Sequence, residues 1–284
     1  MKPVSIGEIS ISRVVESEGP TNPRFLIPDA TPEALARHVD WLAPHFYDPA
    51  VERFKMSIHS FVVRTPHHTI LVDTCLGNDK RRSFGPWNMR NGPYLADLKA
   101  AGVSPEEVDL VLCTHLHVDH VGWNTRLENG RWVPTFPNAR YIMARTEFEH
   151  WRQSREGDAP EIMADSVVPI VEAGRADLVS CDHAITDHIW FEPTPGHTPG
   201  HVSVHFRHNG QEAVITGDLA HHPVQFYENT WTSRPTLDPA QDSATRRRFC
   251  ETYAERDVLI LGTHFAFPTA GRIEPLRDAF KFIA

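Results

Sequence analysis

Cysteine contributes little to this chain. Its four copies, Cys75, Cys113, Cys181 and Cys250, stand far apart and form no C-x-x-C pair, which excludes a zinc knuckle and a dithiol redox motif. Reduced, mostly buried thiols are the expectation. Positive charge is short as well: 28 Lys and Arg against 37 Asp and Glu leave a formal net charge of −9. A polyanionic partner calls for a basic face, so no nucleic acid is expected. Long apolar runs are missing too. No stretch approaches the roughly 18 apolar residues of a membrane span, and "MKPVSIGEIS" lacks the apolar core of a secretory leader. These absences point to a soluble, cytoplasmic protein with no membrane partner. Internal repeats, low-complexity tracts and linkers are also absent. The expectation is therefore one domain over residues 1–284, with residues 1–50 as an N-terminal arm and helical excursion.

What is present is a mixture of short strands and helices. "EISISRVVES" and "MSIHSFVVRTPHHTILVDT" are rich in alternating and β-branched apolar residues, and the second is broken at Pro66 into a hairpin. "TPEALARHVDWL" opens with Thr31 as N-cap and Pro32 in the first turn of a helix. A helix ending near Gly102 then leads through "SPEE" to a buried strand over 108–113. "NARYIMA" reads as a strand, and "TEFEHWRQS" as a helix capped by Thr146. "APEIMADSVVPIVEAG" is helical with an interruption at Pro169. "HIWFEPTPGHT", "HVSVHFRHNGQEAVITGD" and "VLILGTH" each read as strand then turn, the middle one with a hairpin at Asn209-Gly210. "DPAQDSATRRRFCETYAERD" is the last long helix, and "IEPLRDAFKFI" suggests a short final one.

Histidine is the compositional excess, with 18 copies. "CTHLHVDHVGW" places His115, His117, Asp119 and His120 within six positions at the end of a strand. Polar groups cost free energy when they lose water without a partner, so such a cluster implies something bound. His197, Asp218 and His264 likewise follow strand ends. Seven imidazoles and carboxylates suit zinc and similar cations and exceed the four ligands of one typical zinc, so two metals are expected. In an extended loop, His115 and His117 point the same way while the following turn aims Asp119 and His120 elsewhere.

The run Thr114–His120, with "GHTPGH" around His197, "TGD" around Asp218 and "GTH" around His264, resembles the metallo-β-lactamase superfamily in order and spacing. The resemblance implies an α+β fold, an αββα sandwich of two mixed sheets flanked by helices. It also implies that His115, His117 and His197 hold one metal, Asp119, His120 and His264 the other, and Asp218 bridges them. Asp73 resembles the family's ligand-orienting aspartate; a buried strand-end cap is its other reading. Two Zn2+, or Mn2+, Co2+ or Fe2+, are the implied cofactors. The implied reaction is hydrolysis by an activated water, with Asp119 orienting the nucleophile and later carrying a proton.

Departures narrow the branch. Flavodiiron proteins carry a glutamate where His117 stands, and zinc β-lactamases a cysteine where Asp218 stands. The lactonase branch, including quorum-quenching acyl-homoserine lactonases, fits better, with organophosphate triesterase or another esterase as the alternative and a non-catalytic metal-binding module as the third reading. Some lactonases place a carbonyl-activating tyrosine three residues after the bridging aspartate. His221 stands there in this chain, either as a donor or as a packing residue. Phe25, Leu26, Ile27, Trp87, Phe226, Trp231 and Phe265 could line an apolar pocket, or serve as core or dimer contacts. A small-molecule lactone or ester is the implied partner, and a homodimer stays open.

Overall fold

The computed structural model describes residues 1–284. Its chain forms two compact units, one of Lys2–Glu16 and Ile58–Cys181, the other of Met1, Ser17–Ser57 and Asp182–Ala284.

The first unit is built on a mixed sheet in the order Val4–Ile6, Ile9–Thr21, Arg53–Arg64, Thr69–Val72, Leu110–Leu112, Arg140–Ala144 and Ala176–Val179. The unit boundary cuts the two long strands after Glu16 and after Ser57. The predicted hairpin pairs Phe61 with Val72 antiparallel. From there the ladder turns parallel, pairing Ile70 with Leu110 and Val111 with Tyr141. Parallel strands are covered on both faces and therefore read as continuous apolar runs, as "LVLC" does here. Val62, Leu71, Val111, Tyr141 and Met143 share one core with Leu98 and Ile170 from the flanking helices. Because Thr69–Val72 and Leu110–Leu112 run parallel, Asp73 and His115 leave the same end of the sheet.

The second unit has a seven-stranded sheet running in chain order from Ala184–Thr186 to Ala279–Ile283. Only the pairing of Gln211–Ile215 with Val258–Leu261 is parallel, and the helix Pro239–Tyr253 makes that crossover. Asp218 and His264 thus also follow the ends of neighbouring parallel strands. Ile27, Phe226, Trp231 and Phe265 belong to this unit's core, with Leu26 packed against it. Phe25 is exposed and Trp87, in the first unit, is half-buried.

Several sequence expectations hold in detail. The Thr31 hydroxyl accepts from the Ala34 amide and Pro32 begins a helix, although "TPEALARHVDWL" forms two short helices, Pro32–Leu35 and Val39–Leu42, joined by the 3-10 turn Ala36–His38. The short turn element at "SPEE" is a 3-10 turn, to which Ser104 and Glu107 add an unanticipated capping box. All four cysteines are free, and only Cys181 is not fully buried. Two expectations fail. "IEPLRDAFKFI" forms a hairpin, with Ala270–Leu276 antiparallel to Ala279–Ile283 and Pro275 opposite Phe280. Pro275 cannot occupy a helix interior, and Ile273, Phe280 and Phe282 are buried at every second position, which is the period of a strand. Thr146 is not a cap either: the cap position of the helix Arg145–Gln153 is Ala144, two residues earlier, with no side-chain cap bond.

One close approach fixes the turn after the histidine cluster. Gly122 donates to the Cys75 carbonyl at 2.7 Å, and a Cβ at position 122 would lie 1.9 Å from the Leu76 backbone. Gly122→Ala should therefore cost about 3 kcal/mol through overpacking of a backbone-on-backbone contact. Denaturant unfolding should show a lower midpoint with an unchanged slope.

Candidate metal centre

In the first unit, the Leu110–Leu112 strand delivers Thr114 and His115 into the turn that carries His117, Asp119 and His120. His115 and His120 are buried, while His117 and Asp119 are half-buried. Behind them stands Asp73, itself buried and at φ 57, a left-handed conformation that Asp tolerates better than most residues. Its carboxylate accepts from the Thr114 amide and hydroxyl, both at 2.8 Å, and from His120 Nδ1 at 2.8 Å. With its proton given to Asp73, the Thr114 oxygen accepts from His115 Nδ1 at 3.1 Å. One carboxylate thereby sets the tautomer of two imidazoles, leaving Nε2 of each as the lone-pair atom. Those atoms face other donors: His115 Nε2 lies 3.0 Å from His117 Nδ1, and His120 Nε2 lies 3.7 Å from Asp119 Oδ1. Glu147 accepts from the Leu116 amide, and the Trp151 ring stands edge-on to His117.

The second unit gathers the remaining residues on one carboxylate. Asp218 Oδ2 lies 3.2 Å from His197 Nε2 and 3.0 Å from His221 Nε2, while Oδ1 lies 3.0 Å from His264 Nε2. His264 Nδ1 donates to the Ser57 carbonyl at 3.0 Å, which fixes Nε2 as its lone-pair atom. His197 Nδ1 contacts the Thr236 hydroxyl at 3.3 Å. With Nδ1 of His264 given to Ser57, its Nε2 lone pair faces Asp218 Oδ1 at 3.0 Å, an arrangement that a cation between them relieves. Asp218, His221 and His264 offer ligand atoms within 4.8 Å of one another. This donor set, imidazoles around a carboxylate with hydrogen-bond partners behind His197 and His264, fits divalent metal ions.

His221 and its neighbour differ sharply. Burial lowers the pKa of His221 from the usual histidine value, with Asp218 pulling the other way. His221 Nδ1 is buried with no hydrogen-bond partner. His222 is a structural residue: it stacks on Phe54, donates from Nε2 to the Phe46 carbonyl and accepts the Val224 amide at Nδ1. Burial pushes its pKa down to about 3, so it stays neutral.

Sequence reasoning missed two supports. His201, the second histidine of "GHTPGH", accepts the Asp218 amide at Nε2, 2.8 Å away, and contacts the Thr194 carbonyl through Nδ1. Its signal was in the motif, where only the first histidine was weighed. Glu147 had no local signal, since it lies 31 residues from the amide it accepts.

The sequence profile of the metallo-beta-lactamase superfamily matches residues 54–261. This chain belongs to that superfamily. The N-acyl homoserine lactonase AiiA of Bacillus thuringiensis subsp. kurstaki is 30% identical over 221 residues, covering 74% of this chain and 81% of that protein. AttM of Agrobacterium fabrum, also an N-acyl homoserine lactonase, is 30% identical over 181 residues, 59% of this chain and 62% of the relative. Among solved structures, the dizinc quorum-quenching lactonase AidC, in complex with a product, superposes with a TM-score of 0.83 at 21% identity. The hydrolase AbOPH gives 0.81 at 24%; both alignments cover 99% of this chain and 96% of the other. At these identities the structural likeness establishes the fold: mixed sheets with helices, in the α+β class anticipated from the motifs. The chain is a hydrolase of the metallo-β-lactamase type, with N-acyl homoserine lactonases as homologues.

The reach of Asp73 generates a test. Asp73→Asn keeps the size of the side chain but removes the charge that holds His120 and, through Thr114, His115. Metal affinity should fall about 10- to 100-fold, the usual cost of losing a partner behind a ligand. Competition with a chromophoric chelator measures it, and an unchanged affinity would leave Asp73 as a strand-end cap only.

Proposed function

We propose that this protein is a dinuclear metal-dependent hydrolase that opens lactone rings, with acyl-homoserine lactones or similar esters as substrates. The observation that carries the reading is the Asp218 carboxylate, with one oxygen facing His197 and the other facing His264. A carboxylate disposed in this way suits a bridge. The ligand sets are those the family resemblance implies: His115, His117 and His197 for one ion, Asp119, His120 and His264 for the other, and Asp218 for both. Zinc is the metal proposed, with Mn2+, Co2+ and Fe2+ as alternatives of similar ligand preference. The whole chain acts as one metallo-β-lactamase-like domain on a small molecule in the cytoplasm. Nucleic acid is no partner, and a homodimer is compatible with the reading. No helix is long and apolar enough to cross a membrane.

When bound, two divalent cations supply Lewis acidity that makes water a nucleophile near neutral pH and polarises a carbonyl oxygen. The chain's own residues do the rest. Asp73, Thr114 and Ser57 hold the imidazoles in one tautomer, so the donor atoms need not reorganise during turnover. Asp119, half-buried and next to His120, takes the proton from the attacking water and passes it to the leaving alkoxide. With its pKa lowered, His221 carries a single proton, on Nε2 3.0 Å from Asp218 Oδ2, and that Nε2–H is the donor assigned to the developing oxyanion. The homologues' activity on lactones favours a carbonyl substrate over a phosphotriester, which the alternative reading would place first.

Two measurements test this reading. On one metal-loaded preparation, kcat/KM for acyl-homoserine lactones of several chain lengths should exceed that for an aryl phosphotriester by at least about tenfold, a difference of roughly 1.4 kcal/mol in transition-state stabilisation. The reverse order would make the protein a triesterase. His221→Phe should lower kcat by about 10- to 1000-fold, the range for lost proton-transfer groups and oxyanion donors, with metal content unchanged. An unaltered kcat would leave His221 a packing residue.

A further inference from the structure

The helix Pro239–Tyr253 supplies none of the seven proposed ligands, yet one of its faces reaches two of the three ligand-bearing loops of its unit. Asp242, Thr245 and Arg246 stand at i, i+3 and i+4, so they share that face. Arg246 is fully buried, which is rare for arginine without a paired charge. Its Nη1 donates to Asp242 Oδ2 at 2.8 Å and to the Leu219 carbonyl at 2.9 Å. Its Nη2 donates to the carbonyls of Asn229 at 2.9 Å and Trp231 at 2.8 Å. The Trp231 carbonyl also accepts from Gln225 Nε2 at 2.9 Å, and Gln225 Oε1 accepts the amides of His221 and His222. A continuous set of hydrogen bonds therefore runs from Asp242 through Arg246 to both ends of the Asp218–Trp231 loop.

The same face grips the His197 loop. Thr245 Oγ1 donates to the Pro195 carbonyl at 2.8 Å. Gly196, at φ +135, lies so near the helix that a Cβ there would stand 2.2 Å from the Asp242 amide nitrogen. Leu219 adjoins Asp218, and Pro195 and Gly196 lead into His197. The side chain that spans these contacts must be planar, with donors in two directions, which guanidinium is and ammonium is not.

We infer that Arg246, seated on Asp242, and Thr245 beside it are positioning residues that together set the placement of the Asp218–His221 loop against the His197 loop, and through it the affinity for metal and the rate of hydrolysis. The inference rests on the dinuclear reading above. Arg246 touches neither a ligand side chain nor substrate; it acts through backbone carbonyls.

The test uses the full-length protein and two variants. Arg246→Lys keeps the charge and a partner for Asp242 but loses the fork, whereas Thr245→Val leaves the guanidinium in place and removes only the bond to Pro195. Three readouts are taken on each: the melting temperature of the metal-free protein, the zinc dissociation constant by chelator competition, and kcat and KM for the best lactone. Arg246→Lys should raise the zinc dissociation constant by about 10- to 100-fold and lower kcat with little change in KM, and Thr245→Val should weaken zinc binding by about tenfold. A lower melting temperature with parent-like zinc affinity in Arg246→Lys would mean a role in stability alone and would overturn the inference. If Arg246→Lys fails to fold, Thr245→Val decides, and parent-like affinity there overturns it. A parent that titrates to two zinc ions keeps the dinuclear reading even when the variants behave like it; a parent that binds no zinc removes both.

Discussion

Imidazoles and carboxylates crowd together at the centre of this protein, and the fold serves to hold them there. Asp218 presents both carboxylate oxygens to imidazole nitrogens at 3.0 to 3.2 Å, and His115 stands 3.0 Å from His117. In water such groups would turn apart. They stay because partners behind three of the rings fix them: Asp73 behind His120, Thr114 behind His115, and the Ser57 carbonyl behind His264. The rigidity has its source in the sheets. Parallel pairing brings Asp73 and His115 to one sheet end in the first unit, and does the same for Asp218 and His264 in the second.

The core and the centre depend on each other in a specific way. Buried polar groups are costly unless satisfied, and the second unit places a charged pair, Asp242 and Arg246, fully inside its own packing. An apolar pair of similar volume could have filled that space. What it could not supply is a set of donors for Leu219, Asn229 and Trp231 carbonyls, which lie in irregular chain with no ladder to satisfy them. His222 illustrates the other solution. It resembles its neighbour His221 in sequence but is stacked on Phe54 and kept neutral, so two adjacent histidines divide between packing and the centre.

Much of this was legible in the sequence because the information is local. The H-x-H-x-D-H run, the strand-end positions of His197, Asp218 and His264, and the Thr31-Pro32 helix start each need only a few consecutive residues. The fold class followed from those motifs. What escaped notice is non-local or ambiguous in period. Glu147 and Arg246 meet their partners through folding, and no spacing rule announces a guanidinium that will seek carbonyls 15 to 27 residues away. The final hairpin was misread as a helix because "LRDAFKF" carries good helix formers; burial of Phe280 and Phe282 against the sheet outweighed that local preference. Ile27, Phe226, Trp231 and Phe265 were open between pocket and core, and they belong to the core.

The hydrogen bond from His264 to the Ser57 carbonyl joins residues 207 positions apart. On a ribosome, the cluster His115–His120 emerges long before His264 exists, and Asp218 appears between them. Loop closure over such a span must come late in folding, since its entropy is lost before the contact is gained. A growing chain thus exposes four of the seven proposed ligands well before the residue that completes the set. The contact that fixes His264 is thus among the last that a growing chain can make.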